Sequence, residues 1–414
     1  MRFVKLMLEM ARLRSVFIFH MTEVFFAKPL LHRIGRKIPL VVAVTFQSLS
    51  GILCAFVPWY ELFLPLKLIS AIATGGTMVA SFVILMEICG PKWRPILSVL
   101  FHLPFILGHL MLPLISYLTR TWYGFQLAIS IPSIFLISYY WVIPESPRWL
   151  LAVGKNAEAT EVLRKAAKKN GISLDKVTAT IDIHEKQIVQ NQRQKKNKYN
   201  MTHLFRTPNM RLRSICVCAN WFVCGMCFFG LAQYMGQLDG NIFVNVTASA
   251  AIELPGTILV LLLISHVSRL KILIGGHLLS GISLLLITIV PHATAKFCLA
   301  NLGIVGVTMS FPTVYLYSSE IYPTVLRNIG VGLGSVCARL GSIIAPYIAT
   351  MGTVRIWLPP LIFGFFSVVV AGMCFILPET TNSELPETIE DGENFGKEKS
   401  TESASCDIIG GTSL

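Results

Sequence analysis

Arg339 is the residue of this chain whose type and position carry the most chemistry. It lies in Cys337-Ala338-Arg339-Leu340-Gly341-Ser342, inside an otherwise apolar run over residues 328–351. The helix from Asn328 to Arg339 rises about 16 Å, roughly half of a hydrocarbon core about 30 Å thick. A guanidinium at that depth is costly to place, and its forked donor matches a carboxylate. Glu253, in Ile252-Glu253-Leu254-Pro255, is an acid inside a second such run. It suits a substrate ammonium, a place beside a Pro255 kink, or an internal ion pair with Arg339. Trp221, Phe228, Phe229 and Tyr234 lie along a third run, and Tyr315 and Tyr317 along a fourth. Aromatic faces attract cationic and aryl groups, and the same side chains also make ordinary helix contacts. His102 and His109, seven apart on one helix face, could pass a proton.

A second set of charges repeats along the chain. Arg36 and Glu87 recur 233 residues later as Arg269 and Glu320, and Pro144-Glu145-Ser146 recurs 234 residues later as Pro378-Glu379-Thr380. Glu87 and Glu320 each precede an arginine by seven residues, Arg94 and Arg327. With Arg33 and Arg148, these residues form a candidate gate: Arg33, Arg36, Glu87, Arg94, Glu145, Arg148, Arg269, Glu320, Arg327 and Glu379. An acid at one helix end and a base on the next loop can pair in one conformation and part in another. Only pairs made in one state bias the equilibrium between states.

The elements that position these groups must be membrane helices. The 414 residues are 54% hydrophobic and 14% charged, with a mean hydropathy of +0.64, whereas a soluble globule carries roughly 25% charged residues. Ten apolar runs, each about as long as a bilayer core is thick, lie near 38–57, 62–86, 96–118, 124–143, 212–234, 242–264, 271–291, 294–317, 328–351 and 356–377. Another, over 15–31, is interrupted by His20, Glu23 and Lys28, so ten or eleven spans are expected. Lipid-exposed backbone must satisfy its own hydrogen bonds, which makes the runs helices. The fold class is therefore all-α integral membrane, built from two repeated halves over 1–147 and 212–378.

The formal net charge of +13 follows the rule that basic loops stay cytoplasmic. Arg33, Arg36, Lys37, Lys92, Arg94, Arg269, Lys271 and Arg327 share one side with residues 148–213, which hold 15 Lys or Arg against 5 Asp or Glu. The opposite loops carry little beyond Arg120, Lys296 and Arg355. Topology thus accounts for the basic excess, and nucleic acid is not invoked. Arg2, Lys5, Arg12 and Arg14 favour a cytoplasmic start, which would keep 15–31 from crossing. Residues 148–211 read as a cytoplasmic linker of amphipathic helices, one ending at Asn170-Gly171 and one striped by Val177, Ile181, His184 and Ile188. Residues 379–414 turn to Glu, Ser, Thr and Gly and are expected to be a disordered, acidic cytoplasmic tail. Cys216, Cys218, Cys224 and Cys227 have metal-like spacing, but one apolar helix cannot aim four thiolates at one ion. They are read as packing residues, with no metal and no cofactor.

These residues together resemble the major facilitator superfamily, in its organic ion transporter branch of organic cation, organic anion and carnitine carriers. The resemblance is carried by Pro144-Glu145-Ser146-Pro147-Arg148-Trp149-Leu150, by Met86-Glu87-Ile88-Cys89-Gly90-Pro91-Lys92-Trp93-Arg94 and by Glu320-Ile321-Tyr322-Pro323-Thr324 through Arg327. The ending Pro378-Glu379-Thr380 with Leu385-Pro386-Glu387-Thr388 is similar too, and the likeness covers roughly residues 29–390. The branch's loop pattern Gly-x-x-x-Asp-Arg-x-Gly-Arg-Lys appears with Lys28 for the Gly and His32 for the Asp, ahead of Arg33, Gly35, Arg36 and Lys37. The branch's first helix and large extracellular loop have no counterpart in this sequence.

The resemblance implies alternating access between two halves, a plasma-membrane location and a small organic ion as cargo. In the branch, anion and carnitine carriers typically have Arg where this chain has Arg339, and strict cation carriers have Asp. The expected function is therefore secondary transport of an organic anion or a carnitine-like zwitterion. The alternatives are an organic cation carrier and a truncated or regulatory membrane protein that does not transport. No phosphate-binding loop, His-Glu-x-x-His or pair of intramembrane aspartates supports an enzyme.

Overall fold

The computed structural model describes residues 35–90, 93–171, 201–323, 326–381, 383, 386 and 389–396. Arg33, the 15–31 run and the stripe from Val177 to Ile188 lie outside the described residues. Among the described residues every regular element is helical. Nine helices among the described residues are long and apolar enough to span a membrane, and Leu358–Cys374 is a shorter apolar one. All ten coincide with the ten runs expected from the sequence. The protein is a multi-pass membrane protein.

Two compact units emerge. The first comprises residues 1–97 and 114–198. Its described helices include α1 (Lys37–Phe56), α2 (Tyr60–Ile88), the end of α3 (Leu103–Thr119), α4 (Trp122–Ile134), α5 (Pro147–Val153) and α6 (Asn156–Lys169). Small and hydroxyl-bearing residues let α1 approach α4 closely. A Cβ on Gly51 would lie 2.7 Å from Ser130 Oγ, Gln126 Nε2 donates to the Gly51 carbonyl at 3.0 Å, and the Ser48 and Ser133 hydroxyls bond at 2.7 Å. Leu40, Val44, Ala80 and Ile84 form the apolar core. Helix α6 ends where expected, at Asn170, and Gly171 takes a left-handed φ of +67°.

The second unit holds α7 (Pro208–Met235), α8 (Ile242–Leu263), α9 (Arg269–Ile287), α10 (Ala293–Ile321), α11 (Arg327–Thr350), α12 (Leu358–Cys374) and α13 (Ile389–Asn394). It also takes in residues 98–113, which the sequence assigns to the first half. Helix α7 begins at Pro208, a proline at the first helical position, four residues before the apolar run. Glycines set the helix spacing: a Cβ on Gly306 would lie 2.5 Å from the Gly276 carbonyl oxygen, and one on Gly364 3.0 Å from that of Gly281. The cysteines serve this packing. Cys224 Sγ lies 3.7 Å from His277 Nε2, Cys227 Sγ 3.4 Å from Ser367 Oγ and Cys374 Sγ 3.1 Å from Asn220 Oδ1.

Residues 389–396 depart from the disorder expected of the tail. Glu393 accepts the Asn209 and Met210 amides at 2.9 and 3.0 Å. Those amides belong to the first turn of α7, where backbone donors lack helical partners and the dipole favours an anion. Arg213 closes the junction by donating to the Gly392 and Phe395 carbonyls. An acidic composition suggested a solvated tail, but one of its acids has a helix end to cap. Burial alone would raise the Glu393 carboxyl, yet the Asn209 and Met210 amides, with Arg213 nearby, hold it below its ordinary value of 4.5. A depressed folded-state value means the junction is fully stabilised above about 4.5 and weakens as pH falls through that lower value. A spin label at Asn394→Cys should therefore be immobile at pH 7 and gain mobility only below about 4.5. In the added presence of Glu393→Ala it should be mobile throughout; a label immobile at every pH in both would refute the docking.

Candidate functional site

The repeated charges meet at one end of each unit. In the first unit the Arg36 guanidinium pairs with Glu87, Nη2 to Oε1 at 3.1 Å, with side chains 14% and 19% exposed. Glu145 takes a different part and caps α1, accepting the Arg36 amide at 2.8 Å and the Lys37 amide at 3.3 Å. Gly35 makes this possible. Its φ is +108°, and a Cβ there would stand 2.5 Å from Glu145 Oε2.

In the second unit Arg269 Nε faces Glu320 Oε2 at 3.5 Å, and Thr380 Oγ1 donates to the same oxygen at 2.6 Å. Here Thr381 stands between the second acid, Glu379, and the helix end. Its hydroxyl accepts the Arg269 amide at 3.3 Å and donates to Glu379 at 2.7 Å. Burial pushes the Glu379 carboxyl up, but the Thr381 hydroxyl and the Thr380 and Thr381 amides outweigh that and hold it below the usual range. Arg327 opens α11 and is half-buried. The side chains of Arg94 and Arg148 lie outside the described residues.

Removing one partner of such a pair leaves the other charge stranded. Arg36→Ala is expected to destabilise the protein by about 2 kcal/mol, and Arg36→Ala/Glu87→Ala by less. Thermal unfolding of the purified variants checks this. Losses in Arg36→Ala and Glu87→Ala that simply add up to the loss in the double variant would mean that the pair is energetically idle.

The candidate substrate residues divide within the second unit. Trp221 and Phe228 are seven apart on α7, and Phe311 and Tyr315 four apart on α10, so each pair shares a helix face. Trp221 packs on Tyr315 with centroids 4.1 Å apart and donates its indole N–H to Ser318 Oγ at 2.8 Å. Phe311 lies 5.8 Å from both Phe228 and Tyr315. Residues 98–113 add to this cluster, with His102 5.8 Å from Tyr315 and Phe105 5.9 Å from Phe228. Phe229 borders it, 5.4 Å from Phe228 and 39% exposed.

Tyr317 and Tyr234 lie elsewhere. Tyr317 is fully buried and donates to the Pro378 carbonyl at 2.7 Å, near the charged end of the unit. Tyr234 is packed at the far end of α7. Arg339 is half-buried on α11, next to Ala338, whose backbone abuts Gly225 of α7.

Glu253 is 3% exposed and paired with His109, Oε1 to Nδ1 at 2.9 Å. Sequence reasoning weighed Arg339 as its internal partner and treated His109 only with His102. Phe105 and Phe311 were missed as well. Their signal was spacing: His102, Phe105 and His109 fall on one helix face, as do Phe311 and Tyr315. Asn245, in the glycosylation triplet Asn245-Val246-Thr247, is buried and donates to the Leu238 carbonyl at 3.2 Å.

Comparison with known proteins adds to this geometry. Residues 10–391 match the family described as "Sugar (and other) transporter". The chain is 35% identical over 367 residues to solute carrier family 22 member 3 of Mus musculus, covering 88% of this chain and 65% of that protein. It is 35% identical over 376 residues to the organic cation transporter protein of Drosophila melanogaster, covering 88% and 68%. Against solute carrier family 22 member 2 of Homo sapiens it is 32% identical, covering 88% and 65%. The chain thus spans about two thirds of the length of these relatives. By their printed names they are carriers and not enzymes. Among solved structures, the proton:xylose symporter XylE bound to 6-bromo-6-deoxy-D-glucose aligns with a TM-score of 0.70 at 17% identity, over 93% of this chain and 88% of that one. The inward-open form of XylE from E. coli gives 0.68 at 17% identity, over 94% and 89%. At that identity the likeness establishes the fold.

Proposed function

Since the chain belongs to the organic ion transporter branch of the major facilitator superfamily, we propose that it is a secondary transporter of small organic ions working by alternating access. Its preferred cargo is a carboxylate or a carnitine-like zwitterion. The observation that carries this preference is Arg339, a guanidinium within the spanning helix α11. The ring cluster of Trp221, Phe228, Phe311 and Tyr315 supplies faces for the rest of the substrate, with Phe229 at its border. Tyr234 and Tyr317 support the helices behind it. The Arg36–Glu87 and Arg269–Glu320 pairs, with Glu145 and Glu379, hold the gate end of each half, and Arg33, Arg94, Arg148 and Arg327 belong with them. The basic loops and the tail face the cytoplasm of a plasma-membrane protein.

A second reading, an organic cation carrier, is favoured by the printed name of the fly relative and by the acid Glu253. Uptake by cells that display the chain on their surface tests both readings. Labelled benzoate, carnitine and tetraethylammonium serve as probes. Saturable uptake of benzoate or carnitine is expected. Uptake of tetraethylammonium alone would replace the first reading by the second, and uptake of none would end both.

A further inference from the structure

An acid beside aromatic rings has the composition of an ammonium site, and here the chain fills that site itself. The Glu253 carboxylate is all but sealed from solvent, at 3% exposure. One of its oxygens faces His109 Nδ1 at 2.9 Å, and the other is buried with no hydrogen-bond partner among the described residues. A carboxylate can accept about four hydrogen bonds, and a buried acceptor left without one is costly. The acid is thus only half satisfied. The His109 ring lies 6.3 Å from Phe105, which in turn lies 5.9 Å from Phe228. All of these residues belong to the second unit.

We propose that His109 is a specificity-determining residue: its imidazole occupies the Glu253 carboxylate as a built-in surrogate for a substrate ammonium, and so holds the chain away from simple organic cations. The imidazole holds the acid as a neutral N–H donor or as an imidazolium, so an incoming ammonium must displace it in either form. This inference rests on the reading of the chain as an organic ion carrier.

The test is binding of tetraethylammonium to the purified full chain, followed by calorimetry, so that it stands independently of transport. His109→Ala should bind the probe about tenfold more tightly than the native chain, the scale of one charge-assisted contact in a dry site. The gain should vanish in His109→Ala/Glu253→Gln. Added imidazole should compete with the probe in His109→Ala and not in the native chain, because only the variant has the vacancy to refill. A purely structural histidine would lower stability without creating Glu253-dependent, imidazole-sensitive binding. Where the Ala variant does not fold, His109→Gln replaces it, with a smaller gain of about threefold expected from a weaker donor. No gain in either variant, or a gain that survives Glu253→Gln, overturns the proposal. Failure of the native chain to take up any probe would instead count against the carrier reading, leaving the binding result to decide this one.

Discussion

Arg339→Ala is expected to lower uptake of benzoate or carnitine on the order of a hundredfold, with the protein still at the cell surface. The magnitude follows from removing one member of a desolvated charge pair, which leaves the substrate carboxylate without a partner in a medium of low dielectric. Most of that loss should appear in the apparent affinity, since the contact exists in the loaded carrier. Arg339→Lys keeps the charge but loses the planar fork and its second donor, so an intermediate loss is expected. Arg339→Asp should carry the selectivity towards tetraethylammonium. Uptake of all three probes by Arg339→Ala at native rates would remove Arg339 from the substrate path. The second reading would then be left with Glu253 as its charged contact.

Gly341→Leu is expected to abolish the folded protein. A Cβ at this position would run into the Phe222 carbonyl oxygen and stand 2.9 Å from the Met226 amide nitrogen. Both obstacles are backbone of α7, so neither can swing aside as a side chain would, and α11 would have to part from α7. Overpacking typically costs about 1–3 kcal/mol, and a rigid obstacle with a whole isobutyl group to place puts this variant at or beyond the upper end. Gly225, which faces the Ala338 backbone across the same seam, should behave alike. Gly332 makes the control, because a Cβ there meets nothing within 4 Å. Gly332→Ala should be neutral or stabilise α11 by up to about 1 kcal/mol. Fluorescence-detected gel filtration and surface labelling separate the cases. Normal yields of monodisperse Gly341→Leu would show that the α7–α11 seam is wider than this structure has it.

The two variants draw on different parts of what could be read in advance. Arg339 stands out in a linear reading, because any charge in a long apolar run is conspicuous. Gly341 could be marked only as one of several glycines able to bring helices together, and the structure separates it from Gly332, which touches nothing. The same division runs through the gate. The repeat marked Arg36, Glu87, Arg269 and Glu320 without assigning partners, and the structure pairs Arg36 with Glu87 and Arg269 with Glu320. It did not foretell that Glu145 would cap α1 while Glu379 reaches α9 through Thr381. That difference follows from local residues: Gly35 allows a left-handed turn that brings the acid onto the amides, whereas Ser268 at the matching place keeps an extended backbone.

What the sequence determined by itself was the placement of the ten apolar helices found among the described residues, the repeated halves and the positions of the charges along them. Each is a local property, since a helix in lipid satisfies its own backbone and its length is set by the bilayer. Tertiary structure alone decided which faces meet. It brought His109 to Glu253 across 144 positions of chain, set Phe105 and Phe311 among the rings of Trp221, Phe228 and Tyr315, and docked Glu393 on the first turn of α7. The physical reason is the solvent. In water an amphipathic stripe announces the buried face of a helix. In a bilayer both the lipid-facing and protein-facing sides are apolar, so the rotation of each helix is set by small-residue packing and by the few polar groups that must find one another.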